Sequence, residues 1–279
     1  MTLANTREPA KPLHYVEMPS TPALAGVVAT YWGFSIHALP HPAFTHHVWP
    51  DGCAGLVISS ALDRPPVGVV VGATTKAATV AVHPGEQYWG IRFRPEAGAP
   101  CCGRSATTMR DQLLDARHVF GDALESLIAS LSTFRDADDA PRAATALDRW
   151  LLHTLPPVLP IDALVRAAVD LIVAEDGTRP MSRVATQLAV TPRQLQRRFR
   201  AATGLTPKEY AGIRRGRAAL KRIAAPDPGS APAGLSQLAA ASGYADQAHL
   251  TREMGRLTTF SPAVLAERLD DIAHGRLVD

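Results

Sequence analysis

MSRVATQLAVTPRQLQRRFRAATGLTPKEY, residues 181–210, decides the fold, because it returns at residues 235–265 as LSQLAAASGYADQAHLTREMGRLTTFSPAVL. The offset is 54 residues at first and 55 after a one-residue insertion in the turn, so one supersecondary unit is used twice. Each copy reads as two short helices with a break. In the first, Ser182 is the expected cap of a helix carrying Val184, Ala185 and Leu188, and Ala189-Val190 makes the turn. Thr191-Pro192-Arg193-Gln194 then opens the second helix as a capping box, with proline where its missing N–H costs nothing. Leu195 and Phe199, four apart, point inward and leave Arg193, Gln196, Arg197 and Arg200 outside. In the second copy Ser236 is the expected cap, Gly243 the turn residue and Asp246 the next cap. Leu250 and Met254 face inward there, and Gln247, Thr251 and Arg252 outward. Ala185 and Ala239 stand where the helices of each pair cross, and a larger side chain would force them apart.

Upstream of the repeat, Ile161, Leu164, Val165, Ala168, Leu171 and Ile172 share one helical face that ends near Gly177, and Pro180 bars continuation. LPPVLP at 155–160 breaks any helix and reads as a stiff connector. Before it, Val119, Leu124, Leu127, Ile128 and Leu131, then Ala143, Leu147, Trp150 and Leu151, mark two amphipathic helices that either pack on the preceding segment or build a homodimer interface. From Val27 to Arg94 short Val/Ile/Phe/Trp/Tyr runs alternate with Pro and Gly, a strand-and-turn pattern. The expected class is therefore α+β. Residues 1–155 form a small β-barrel or sandwich with flanking helices, and 156–160 a linker. Residues 161–279 form an all-α domain of two helix-turn-helix units, about 181–204 and 235–258, joined by a linker helix at about 207–225.

A chain of 279 residues, 46% hydrophobic, can bury a sizeable core, and its length suggests two domains. No apolar run is long enough to cross a bilayer, and MTLANTREPAKP lacks a signal-peptide pattern, which points to the cytoplasm and to no membrane partner. Three cysteines, Cys53, Cys101 and Cys102, make neither an even framework nor a CxxC pair, so neither structural disulfides nor a structural metal is expected. The net charge of +3 is asymmetric. Residues 1–160 carry 12 basic and 14 acidic side chains, and 161–279 carry 17 and 12. Within 193–222 ten basic residues face one acidic residue, Glu209, which suggests either a polyanion contact or a solvated helical face.

The major groove of DNA admits an α-helix, and its base edges and phosphates are met by Arg, Gln and Thr. Both outward faces of the repeat have that composition. The alternative is a small helical bundle without a nucleic-acid role, against which the duplication and the basic stretch both weigh.

Specific motifs narrow the choice. V-A-x-x-L at 184–188, L-Q-R-R-F-R at 195–200, T-G-L-T-P-x-E-Y at 203–210, the basic helix after it, L-A-A-A-S-G-Y-A-D-Q-A-H-L at 238–250 and F-S-P at 260–262 resemble the DNA-binding domain of AraC/XylS-type transcription regulators. The resemblance implies a double helix-turn-helix on promoter or operator DNA, with no enzymatic activity and no cofactor. RNA polymerase is among the partners such a regulator would meet. Carried over position by position, it implies base reading by Arg193, Gln196, Arg197, Gln247, Thr251 and Arg252. It also implies DNA-backbone contacts from Thr191, Arg198, Arg200 and Lys208. Thr259 replaces the glycine that Gly204 supplies in the first copy, so a differently shaped helix end is expected there. Pro226–Gly234 is longer and richer in proline than the family's usual link, and Glu253 puts an acid on the second recognition helix. The first copy is therefore expected to dominate affinity. The first half, through Y-W at 31–32, W-P-D-G-C at 49–53, V-G-A-T-T at 71–75 and G-I-R-F-R-P at 90–95, resembles the divergent β-rich sensor domain of some such regulators. That implies effector binding or dimerisation and names no ligand.

Two other chemistries compete. A cupin-like metal enzyme would need a histidine cluster. Adjacent His46 and His47 point to opposite faces of a strand, and His83 with Glu86 lacks the HxH spacing. Vicinal Cys101 and Cys102, with Cys53, could form a thiol sensor or bind a soft metal, or be small buried apolar residues. Tyr31, Trp32, Phe34, Trp49, Tyr88, Trp89 and Phe93 line an apolar effector pocket or simply fill the core.

Overall fold

Glycine and tryptophan trade places across the central strands of the N-terminal half. Trp32 lies opposite Gly90, and Gly33 opposite Trp89. A Cβ on Gly33 would meet the Trp89 ring at 2.5 Å, so each indole lies over a strand position that has no side chain. This gives YWG and WGI their role in the sheet. A computed structural model describes residues 13–37, 43–134, 137–224 and 234–273. The strands are β1 (Leu13–Met18), β2 (Val28–Ile36), β3 (Phe44–Val48), β4 (Gly55–Ser60), β5 (Val67–Val71), β6 (Ala78–Val82), β7 (Gln87–Phe93) and β8 (Leu113–Asp115). A six-stranded antiparallel sheet runs β1-β2-β7-β4-β5-β8, and β3 pairs with β6 in a second, two-stranded sheet. Among the described residues the larger sheet ends at β1 and β8 and does not close into a barrel.

Short helices α1 (Gly98–Cys102), α2 (Ala106–Met109) and α3 (Arg117–Phe120) follow β7, flanking β8. Next come α4 (Ala123–Leu131) and α5 (Ala140–Thr154). Leu124, Leu127, Leu131, Leu147 and Leu151 are buried with Tyr31, Leu56, Ile58, Val70, Ile91 and Phe93. Each such side chain contributes roughly 1.5–3 kcal/mol. The apolar faces of α4 and α5 thus cover the sheet, which settles the choice between packing and a dimer interface for those faces. Tyr31 donates to Asp148 (2.7 Å) and Trp150 to the Ala123 carbonyl (2.7 Å), fixing α5 in rotation.

The helical half comprises α6 (Ala163–Ala174), α7 (Met181–Gln187), α8 (Pro192–Thr203), α9 (Pro207–Ala224), α10 (Leu235–Ala241), α11 (Gln247–Thr258) and α12 (Pro262–Ala273). Val165, Ile172, Val184, Leu195, Phe199, Leu205 and Tyr210 form one core, and Ala219, Leu238, Leu250, Met254 and Leu265 the other. Helix α9 contributes to both. Ala185 and Ala239, each 1% exposed, lie at the expected crossings.

Ser182 and Ser236 are not the caps. The N-cap of α7 is Pro180, whose carbonyl accepts from Arg183 and Val184, and that of α10 is Gly234, whose carbonyl accepts from Leu238. Serine caps would start the helices at 183 and 237, whereas they start two residues earlier, at Met181 and Leu235, and the serines lie inside the first turn, because the extended backbone of Pro180 (ψ 133°) and Gly234 (ψ 151°) already supplies the turn into the helix. The Pro-rich stretch before Gly234 lies outside the described residues.

Candidate nucleic-acid interface

Helix α8 opens as its sequence requires. Thr191 N–H donates to Gln194 Oε1 (2.9 Å), and Gln194 N–H donates back to Thr191 Oγ1 (3.2 Å). Leu195 and Phe199 are buried, and Arg193, Gln196, Arg197 and Arg200 are exposed. These four line an open cleft of about 780 Å³, together with Thr191, Gln194, Ala201 and one residue of the N-terminal half, Thr107. Arg198 is turned elsewhere. Its guanidinium donates to Asp162 (2.6 and 2.8 Å), the N-cap of α6, and that hydrogen bond holds the Asp162 carboxyl below its ordinary value. Lys208 is exposed on the first turn of α9.

In the second unit Asp246 caps α11 by accepting from His249 N–H (2.6 Å). Gln247, Thr251 and Arg252 are exposed, and Leu250 and Met254 are buried. Glu253 does not lie on the outward face. It is partly buried, pairs with Arg256 (3.1 Å), and stands 3.5 Å from where a Cβ on Gly212 of α9 would be. The acid anticipated on the reading surface is held against the linker helix.

The two units also end alike. Gly204 (φ 78°) and Thr259 (φ 69°) are both left-handed C-caps, so the expected difference in helix-end shape is absent. The preceding threonines enforce it. Thr203 Oγ1 donates to the Phe199 carbonyl (2.9 Å) and accepts from Leu205 N–H (3.1 Å). Thr258 Oγ1 does the same with Met254 (2.7 Å) and Phe260 (3.1 Å). The signal for this pair was present in the repeat, since 203 and 258 are 55 apart and both Thr.

Much of the positive charge on α9 faces inward. Arg214, Arg215 and Arg217 are partly buried. Arg214 and Arg217 lie close enough to Cys53 to favour its ionised form, Arg217 does so at Glu17, and Arg215 lies over the Tyr244 ring (5.5 Å). The dense basic stretch is therefore divided: the basic α8 side chains and Lys208, Lys221 and Arg222 of α9 are exposed, Arg214 and Arg217 face a junction with the N-terminal half, and Arg215 faces Tyr244. That junction uses three of the four motifs of the first half. From WPDGC, Trp49 packs on the second helical core, and a Cβ on Gly52 would meet the Tyr210 ring at 2.6 Å. From VGATT, Ala73 is buried in the first helical core, and the Thr75 carbonyl accepts from Arg256 (3.3 Å). From GIRFRP, Arg92 pairs with Asp51 (2.6 Å) and Glu17 (3.0 Å), and Arg94 with Glu96 (2.8 Å) and Asp170 of α6 (2.6 Å). Arg166 of α6 also reaches Glu96 (3.2 Å) and the Gly26 carbonyl (2.6 Å).

Arg110, which the sequence reading did not single out, closes this junction. It donates to the carbonyl of Gly204 (3.3 Å) and to both oxygens of Glu209 (2.7 and 3.3 Å). Glu209 is the acidic partner of the Thr206 capping box that starts α9. Burial pushes its carboxyl up, but hydrogen bonds from Arg110 and Thr206 outweigh that and hold it at about 2.

The competing chemistries find little in their surroundings. Cys101 and Cys102 are buried and Cys53 is partly buried. Burial pushes the Cys102 thiol up to about 12 and the other two higher, which keeps all three protonated and weakly nucleophilic. His46 stacks on Phe34 (4.9 Å), where burial lowers it to about 4, and His47 meets Phe260 edge-on (4.9 Å). His83 and Glu86 do pair (3.1 Å), with Arg64 and Tyr88 also on that carboxylate. Among the described residues no group of three His, Cys, Asp or Glu side chains could hold a metal, and no helix is long and apolar enough to cross a membrane. Of the aromatic residues, Tyr31, Trp89 and Phe93 are core and Trp49 is at the junction.

Residues 184–268 match the model of a family described as a helix-turn-helix domain, and residues 16–115 match a domain of unknown function, DUF6597. No curated protein matches the chain. Among solved structures, a transcriptional regulator from Chromobacterium violaceum described as an AraC-type DNA-binding domain-containing protein is 20% identical, with 38% of this chain and 90% of that one covered (TM-score 0.33). ToxT from Vibrio cholerae O395 is 11% identical, with 92% and 97% covered (TM-score 0.41). ToxT of V. cholerae strain SCE256 with bound unsaturated fatty acid is 9% identical, with 91% and 94% covered (TM-score 0.37).

Proposed function

We propose that the chain is a one-component transcription regulator with an AraC-type DNA-binding domain, reading an operator with both recognition helices; its helix-turn-helix match spans residues 184–268. Helices α8 and α11 enter successive major grooves. Arg193, Gln196, Arg197, Gln247, Thr251 and Arg252 read base edges, and Thr191, Arg200 and Lys208 contact the backbone. Arg198 serves the fold through Asp162 before it serves DNA. The observation that carries this reading is that both helices bury two apolar residues four apart and expose Arg, Gln or Thr opposite them.

In this proposal residues 1–155 form the sensing half, 156–160 the connector and 161–279 the DNA-binding half. The sensing half touches both helix-turn-helix units through Trp49, Gly52, Ala73, Thr75 and Arg110. A small molecule that favours one arrangement of the halves must change DNA affinity by the same coupling free energy. The test is binding to the DNA upstream of its own coding sequence. We expect affinity to fall steeply with salt, and Arg197→Ala to cost roughly 1–3 kcal/mol while relaxing preference at one base pair. An equal loss on every sequence would make Arg197 a phosphate clamp and not a reader.

A further inference from the structure

Thr107 belongs to the N-terminal half, yet it lines the same cleft as Arg193, Gln196, Arg197 and Arg200 of the first recognition helix. Helix α2 lies directly against the end of α8. The Ala106 carbonyl lies 2.5 Å from where a Cβ on Gly204 would be, and Arg110 donates to the Gly204 carbonyl from the other end of the same turn. The turn is therefore held against the helix and cannot swing freely from its side. Its outward surface is made of hydroxyls. Ser105, Thr107 and Thr108 are exposed, with Ser105 Oγ and Thr107 Oγ1 2.8 Å apart. Among the described residues no carboxylate lines the cleft.

We propose that the Ser105–Thr108 turn is part of the DNA-binding surface, with Thr107 contacting the phosphate backbone at the rim of the groove that α8 enters. The inference rests on the reading of α8 as a recognition helix. The major groove is about 12 Å wide, close to the diameter of a helix with its side chains, so a neighbour fixed beside the helix meets the groove wall and not the base edges. Hydroxyls and guanidinium groups with no acid among them are the composition that contacts phosphates. The N-terminal half then acts on DNA directly as well as through the arrangement of the two units.

Charge changes at Thr107 test this in the full-length chain, since an exposed position tolerates them. Binding is measured against salt on a duplex of its own upstream DNA and on a random duplex of equal length. Thr145→Arg and Thr145→Asp, at an exposed position on α5 outside the cleft, give the reference for a remote charge. We expect Thr107→Arg to steepen the log–log salt slope by about 0.9 on both duplexes. Thr107→Asp should weaken binding about fivefold at 0.1 M salt, again on both. Thr107 variants that move binding no further than the Thr145 pair overturn the proposal, and so does tighter binding by Thr107→Ala, which would mean that the turn obstructs the groove. Arg197→Ala separates the two levels. If it loses preference for the upstream duplex while the Thr107 variants match the reference, the recognition-helix reading stands and this inference fails. If the unaltered chain binds neither duplex in a salt-dependent way, both fail.

Discussion

Two positions in each helix-turn-helix unit hold a left-handed backbone: Ala189 (φ 53°) and Gly204 (φ 78°) in the first, Gly243 (φ 71°) and Thr259 (φ 69°) in the second. The pairs are related by the repeat, and each unit has glycine at one position and a side chain at the other. That geometry costs an L-residue about 1–2 kcal/mol, and glycine's greater freedom in the unfolded chain takes back about 0.4–1. Thr259→Gly and Ala189→Gly should therefore each raise stability by about 0.5 kcal/mol, read as a higher urea midpoint at unchanged slope. The reverse exchange is harsher. Gly204→Ala adds strain and drives a Cβ into the Ala106 carbonyl, for a loss of about 2 kcal/mol or more. A less stable Thr259→Gly chain would show that the Thr259 hydroxyl, which donates to the Thr258 carbonyl at 2.5 Å, outweighs the strain. The sequence identifies Thr259 as the odd residue but gives the wrong consequence, because Thr258 holds the helix end in shape without a glycine.

At the level of helices, legibility followed the local chemistry. The Thr191–Gln194 box and the Asp246 cap form as read, since each needs no more than a side chain and an N–H three residues apart. Ser182 and Ser236 misled for the complementary reason. A serine near a helix start looks like a cap whether or not the backbone before it is already extended, as it is at Pro180 and Gly234. The capping box makes a quantitative forecast. Thr191→Ala should cost about 1 kcal/mol of stability, and Gln194→Ala less. The double change should cost less than the sum, because each single change already breaks the reciprocal pair. Additive losses would mean that the two hydrogen bonds act independently. Charge on helices was the least legible property. Ten basic residues in 193–222 suggest one surface, whereas the fold turns the α8 side chains outward and Arg214, Arg215 and Arg217 inward, and sequence spacing alone does not say which side of α9 will be covered.

For the molecule as a whole, the N-terminal motifs owe their residue types as much to the junction as to the sheet. WPDGC, VGATT and GIRFRP all reach the helical half, and none could be read that way from sequence because their partners lie 76 residues or more away. Arg110 is the clearest case, since it meets the end of the first recognition helix and the start of the linker helix at once. Its partner, Glu209, is held at about 2, below the ordinary carboxylate value. A carboxyl depressed in the folded state stabilises that state above its unfolded value, near 4.3, and loses the contribution as pH falls towards 2. Both side chains are partly exposed, so solvent screening limits the contribution to about 1 kcal/mol. Glu209→Gln should therefore be less stable than the unaltered chain at pH 6, with the gap closing between about pH 4.5 and 2 as Glu209 is protonated. Arg110→Ala should follow the same course, because it removes the other half of the same pair. Urea unfolding at half-unit pH steps measures all three. A gap that stays constant with pH would mean that the two residues hold the junction by packing and not by charge.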